Sequence, residues 1–171
     1  MRRLYMSLMF APIFVGAVIG FASSAHAAAQ RTFVASYGLT TNTAFNCSIA
    51  KPCRQFSEAI GVTNSGGEII VLDSAGYGPV TITKSVTITA PAGIYAGISV
   101  FSGTGVTVDG TGIDVTLEGL TITGQGGVDG IDFLHGATLT IERCRISRFT
   151  NAGIDQERGK ANHDDEGQGE E

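Results

Sequence analysis

The chain has 171 residues, 24 of them glycine, no tryptophan, and a formal net charge of −5. That length suits one domain of ordinary size. Glycine at about twice its usual ~7% share, with abundant Val, Ile and Thr, favours short strands and tight turns over long helices. The charge is confined to one end: from Asp155 onward seven acids face only Arg158 and Lys160, and the rest sums to zero. No basic patch of the size nucleic-acid binding needs is present, so nucleic acid is excluded as a partner.

Residues 1–27 read as a secretory signal peptide. Arg2 and Arg3 form a positive start, Leu8 to Ala22 an apolar run, and Ala25-His26-Ala27 supplies small residues at a cleavage site. Cleavage after Ala29 fits nearly as well. The competing reading, an uncleaved anchor, is disfavoured because the run falls short of the ~20 residues a spanning helix needs. The expected location is therefore secreted or periplasmic, with no membrane association after cleavage.

In that setting Cys47 and Cys53, flanking Ser48-Ile49-Ala50-Lys51-Pro52, are expected to form a disulfide. No His, Asp or Glu lies between Arg31 and Arg54 to make a metal site there. Arg31 to Ala35 is a candidate first strand. Phe56, Ala59 and Ile60 fall at helical spacing, which predicts a short amphipathic helix over 53–62, ended by Gly66-Gly67. Residues 68–72 read as a buried strand and 73–79 as a turn rich in breakers. Further strands are predicted at 80–83, 85–89, 97–101, 106–109, 115–117, 120–123, 130–134, 139–141 and 144–147, with a stub at Gly153-Ile154. Lys84 reads as a solvated bend and His135 as a loop residue.

These strands repeat. Val115-Thr116-Leu117-Glu118-Gly119-Leu120-Thr121-Ile122-Thr123 returns 24 residues later as Leu139-Thr140-Ile141-Glu142-Arg143-Cys144-Arg145-Ile146-Ser147. Gly130-Ile131-Asp132 returns 23 residues later as Gly153-Ile154-Asp155. Alternation of period two marks half-buried strands, and its return at a fixed interval marks a solenoid whose single coils cannot bury their apolar face alone. Stacked, Val115/Leu139, Leu117/Ile141, Leu120/Cys144 and Ile122/Ile146 form inward ladders. Thr116/Thr140 and Thr123/Ser147 form outward ones. Cys144 therefore reads as a buried, inert thiol.

Gly66-Gly67-Glu68-Ile69-Ile70-Val71-Leu72, followed by Gly76-Tyr77-Gly78-Pro79-Val80-Thr81-Ile82-Thr83-Lys84-Ser85-Val86-Thr87-Ile88, resembles the first coils of the right-handed parallel β-helix, or pectin-lyase-like, superfamily. The Cys-containing loop and helix before them resemble small secreted bacterial β-helix repeat proteins. The resemblance covers roughly residues 31–154. It implies an all-β, right-handed parallel β-helix solenoid of about four coils over residues 28–155, with a short N-terminal helix cap in 31–65. It also implies carbohydrate-related roles, from lyases using calcium-binding Asp/Glu clusters and a basic residue to modules without activity. The Gly-His-Gly segment associated with the hydrolases is absent here.

The site candidates follow from that frame. Glu118 and Glu142, with Arg143 and Arg145, are the catalytic candidates; the alternative is a solvated bend in which Arg143 balances the two acids. Asp129 and Asp132 are candidate calcium ligands, each explained as well by turn capping. Tyr77 and Tyr95 are candidates for stacking on sugar rings, or for packing over turns. No cofactor is expected beyond calcium in the enzymatic reading. The tail 156–171 has no aliphatic residue larger than Ala and reads as acidic and disordered. Its abrupt start after Asp155 suggests a truncated or shifted reading frame, and leaves an uncapped last coil open to edge-to-edge association. The leading functional expectation is a secreted non-catalytic module, carbohydrate-binding or structural. The alternative is a polysaccharide lyase or related carbohydrate-active enzyme acting on acidic glycans.

Overall fold

The computed structural model describes residues 29–156; the leader 1–27 and the tail from 157 lie outside the described residues. Strand β1 (Ala29–Val34) leads through a 3-10 turn (Thr40–Phe45) to helix α1 (Phe56–Val62). Twelve strands follow: β2 (Thr63–Val71), β3 (Ala75–Gly76), β4 (Val80–Ile82), β5 (Val86–Thr89), β6 (Ala96–Val100), β7 (Thr104–Asp109), β8 (Asp114–Glu118), β9 (Leu120–Gly124), β10 (Asp129–His135), β11 (Thr138–Glu142), β12 (Arg145–Ser147) and β13 (Ala152–Gln156). They form three sheets in the orders β1-β2-β5-β8-β11, β3-β6-β9-β12 and β4-β7-β10-β13. Every pairing is parallel. From β2 onward the chain visits the three sheets in strict rotation.

The period-two pattern explains the core. Ile69, Ile88, Leu117 and Ile141 stand in register across the first sheet. Ile98, Ile122 and Ile146 do so across the second. Val80, Val106, Ile131 and Ile154 do so across the third. Their inner members are fully or almost fully buried, and full burial of such a side chain contributes about 1.5–3 kcal/mol. The 24-residue offset holds where Ile141 pairs with Leu117 and Ile146 with Ile122, and the 23-residue offset where Ile154 pairs with Ile131. It also holds upstream in the second sheet, where Ile122 pairs with Ile98, but not in the first: Leu117 pairs with Ile88, 29 residues earlier, and Ile88 with Ile69, only 19 earlier. Turns absorb the difference, because only the strand segments must keep register.

Three local expectations need correction. The helix begins at Phe56, not Cys53, because Cys53 is held extended against β1. Its N–H donates to Phe33 O (2.9 Å) and its carbonyl accepts from Ala35 N–H (3.0 Å). Gln55 then caps the helix in a reciprocal box with Glu58. Gly66-Gly67 does not end the helix. Thr63 does so, its hydroxyl donating to Ala59 O (2.7 Å), and both glycines lie within β2. The breaker-rich segment 73–79 contains β3, paired through Ala75 with Ala96 and Gly76 with Gly97.

The N-terminal edge is covered. Cys47 and Cys53 form a disulfide, and Phe33 N–H donates to Cys47 O (2.8 Å), so the bridged loop occupies the free edge of β1. Tyr77, a candidate surface ring, is instead fully buried, with its ring centroid 5.3 Å from that of Phe56. Its hydroxyl donates to Asp73 O (2.6 Å) and to the Asp73 carboxylate, which also accepts from Ser36 N–H (2.8 Å). Lys84 is not a freely solvated bend: it is half-buried and its Nζ donates to Thr63 O (3.0 Å).

Candidate functional site

The outer face of the first sheet carries two side-chain ladders. Alternation turns Thr87, Thr116 and Thr140 outward from β5, β8 and β11, in direct register. Beside them run Thr89, Glu118 and Glu142, also in register. Adjacent rungs lie at the strand spacing of about 4.8 Å, so the face offers a regular array of hydroxyls bordered by carboxylates.

The corner that follows positions the charged group. Ala90 N–H donates to Glu118 O and Gly119 N–H to Glu142 O, each 2.9 Å, so the bends stack as the strands do. Gly119 turns with φ +73°, and Arg143, its counterpart in the repeat, adopts the same left-handed form with φ +52°. From there the Arg143 guanidinium reaches back one strand and pairs with the Glu118 carboxylate, which Thr89 Oγ1 also approaches at 3.4 Å. Two carboxylates directly across a strand pair repel. The arginine relieves this at Glu118, whose side chain is 22% exposed, while Glu142 faces solvent.

The structure thus brings Glu118, Glu142 and Arg143 together. Arg145 lies past the corner on β12, in register with Thr121 on the second sheet. Proton abstraction by Arg143 would require it to leave the carboxylate that holds it. A cation at Glu118 would have to displace a guanidinium. Among the described residues, no group of three or more His, Cys, Asp or Glu is placed to hold a metal ion.

Asp129 and Asp132 do not converge, because side chains three apart on a strand point to opposite faces. Asp129 is buried and caps the next turn, accepting from Asn151 Nδ2 (2.8 Å) and Ala152 N–H (3.0 Å). Asp132 lies on the outer side of β10, in register between Thr107 and Asp155. Tyr95 is 50% exposed and lies over Gly97, where any side chain would collide with its ring. It keeps an open face for a ligand; Tyr77 has none.

Sequence reasoning missed one pair. His135 ends β10, and its Nδ1 lies 2.8 Å from Asp109 Oδ1 at the end of β7. The signal was present in Asp109-Gly110 and His135-Gly136, but a register shift between Phe133 and His135 displaces the match by one residue. Cys144, expected to be buried, is only half-buried, with Sγ 3.4 Å from Leu117 O. Partial burial pushes its thiol above the usual range, despite nearby backbone donors and the Arg143 charge.

No helix among the described residues is long and apolar enough to cross a membrane. Compared with known proteins, the chain matches no family model, no curated protein and no solved structure.

Proposed function

We propose that the chain is a right-handed parallel β-helix solenoid acting outside the cytoplasm as a non-catalytic module, with the outer face of its first sheet binding an extended polysaccharide. The rotation of parallel strands through three sheets supports the solenoid, and parallel crossovers are right-handed in about 98% of cases. The Cys47–Cys53 disulfide fits an oxidising compartment, as does the apolar leader.

The observation that carries the binding role is the in-register ladder Thr87–Thr116–Thr140 beside Thr89–Glu118–Glu142. A polymer of hydroxylated rings laid across the strands meets the same donor and acceptor at each rung. Binding by repetition needs no single deep pocket. The test is affinity electrophoresis of the purified chain against neutral and acidic polysaccharides. The double change Thr116→Val and Thr140→Val, which keeps shape and removes two hydroxyls, is expected to abolish retardation by the retained glycan. Retardation unchanged by that pair rejects the ladder as the binding face.

A second reading rests on the convergence of Glu118, Glu142 and Arg143: a lyase acting on acidic glycans, with calcium as its cofactor. Incubation with uronate polymers and calcium separates the two. New ultraviolet absorbance from unsaturated ends, lost in Arg143→Ala, establishes the lyase; retardation without product establishes the binding module.

A further inference from the structure

The two ends of the strand stack differ. At the N-terminal end, the disulfide loop fills the edge of β1, and α1 packs there with Phe56, Ala59 and Ile60 buried. At the other end, β11, β12 and β13 are each the last strand of their sheet, and among the described residues nothing pairs with their outer edges. Among the described residues the apolar ladders stop there. Val115, Leu117, Ile122 and Ile131 are buried, whereas their register partners Leu139, Ile141 and Ile146 are only half-buried and Ile154 is 50% exposed. A cleft of about 350 Å³ opens between Phe133, Leu139, Ile141 and Ile154. Open edges beside exposed aliphatic side chains are a template for pairing with another chain.

We infer that this end docks against a second copy of the chain, with β11 pairing antiparallel to itself about Thr140. The sequence of β11, Thr138-Leu139-Thr140-Ile141-Glu142, is close to palindromic about its centre. In that pairing Leu139 faces Ile141 of the partner copy on the inner side, completing the apolar ladder in both directions. On the outer side Thr140 meets its own copy and Glu142 meets Thr138, so no like charges stand opposed. A slip of one residue would place Leu139 against Thr140 and turn the apolar face outward, so the hydrophobic pattern fixes the register. Such a contact uses the same patch on both chains and closes as a dimer rather than growing into a fibre. The inference stands independently of any glycan.

Sedimentation velocity on the purified full chain across a concentration series is expected to show a monomer–dimer equilibrium. Thr140→Lys sets two ammonium groups across the dyad and is expected to weaken the dimer at least tenfold while leaving the circular dichroism spectrum and melting temperature of the monomer unchanged. In a Cys144→Ser background, Thr140→Cys is expected to give a disulfide-linked dimer on mild oxidation, because residues directly opposed across an antiparallel pair bring their Cβ atoms to about 4.5–5.5 Å. Thr116→Cys, one strand inward, is expected to give none. A chain monomeric at all concentrations overturns the inference. So does a dimer insensitive to Thr140→Lys, or one cross-linked as readily through Thr116→Cys, because either places the contact elsewhere.

Discussion

Gly119→Ala tests whether the stacked corner is as rigid as its hydrogen bonds imply. Gly119 turns with φ +73°, a conformation that costs an L-residue roughly 1–2 kcal/mol. A Cβ there would lie 2.5 Å from the carbonyl oxygen of Ala90. That carbonyl cannot simply retreat, because the same residue's N–H is bonded to Glu118 O at 2.9 Å. Forced repacking of this kind adds about 1–3 kcal/mol. The combined loss is then about 2–5 kcal/mol, a large part of the 5–15 kcal/mol typical of a whole domain. Gly112→Ala supplies the control: φ is +71°, but nothing lies within 4 Å of the added Cβ, so only the conformational cost of roughly 1–2 kcal/mol applies. Urea unfolding of both variants, followed by far-ultraviolet circular dichroism, gives the difference directly. Equal losses in the two variants would show that the corner yields without cost, and the account of Gly119 as sterically required would fail.

Two further outcomes concern titration. Partial burial raises the Asp73 carboxyl, but hydrogen bonds from Ser36 and Tyr77 and the charge of Arg54 outweigh it and hold the group below its ordinary value. Its stabilisation is therefore present above the unfolded carboxyl pKa of about 3.9 and is lost as pH falls through the lower folded value. Tyr77 is shifted the other way, chiefly by burial and then by its bond to Asp73. Its contribution is complete below the unfolded phenol pKa of about 10 and declines as pH rises beyond it. Melting temperature against pH should fall at both extremes; Asp73→Asn should flatten the acid limb and Tyr77→Phe the alkaline one, and unchanged limbs would refute the assignment. Separately, the raised thiol of Cys144 should react with a disulfide reagent at pH 8 at least tenfold more slowly in the folded chain than in urea. Equal rates would show that the thiol is not shielded.

Much of the strand order was legible because the inward residues repeat at intervals a reader can count. Leu117 with Ile141 and Ile122 with Ile146 follow from the 24-residue offset alone, and the structure pairs them so. The upstream strands were harder. In the first sheet the offsets of 19 and 29 residues share no period, so β5 could be recognised as a strand without its register with β2 and β8 being known. Gly66-Gly67 looked like a helix stop because glycine breaks helices. Its place inside β2 comes from packing: a Cβ on Gly67 would meet Gln30 O at 2.8 Å, in the neighbouring strand.

The candidate site divides along the same line. That Glu118 and Glu142 are neighbours was readable from the repeat, since equal positions in successive repeats must stack. That Arg143 turns back to Glu118 was not, because it depends on a left-handed bend that an arginine rarely adopts. The fate of the tyrosines also needed the third dimension. Tyr77 lies between Gly76 and Gly78 and Tyr95 between Ile94 and Ala96, both in glycine-containing turns, yet one ring packs against Phe56 and the other lies over Gly97. By itself the sequence determined the alternation, the later repeat and the cysteine pair, all of which depend on spacing along the chain. Only the tertiary structure decided which charges meet and which ring is buried, because these depend on the strand brought alongside rather than on the residues next in line.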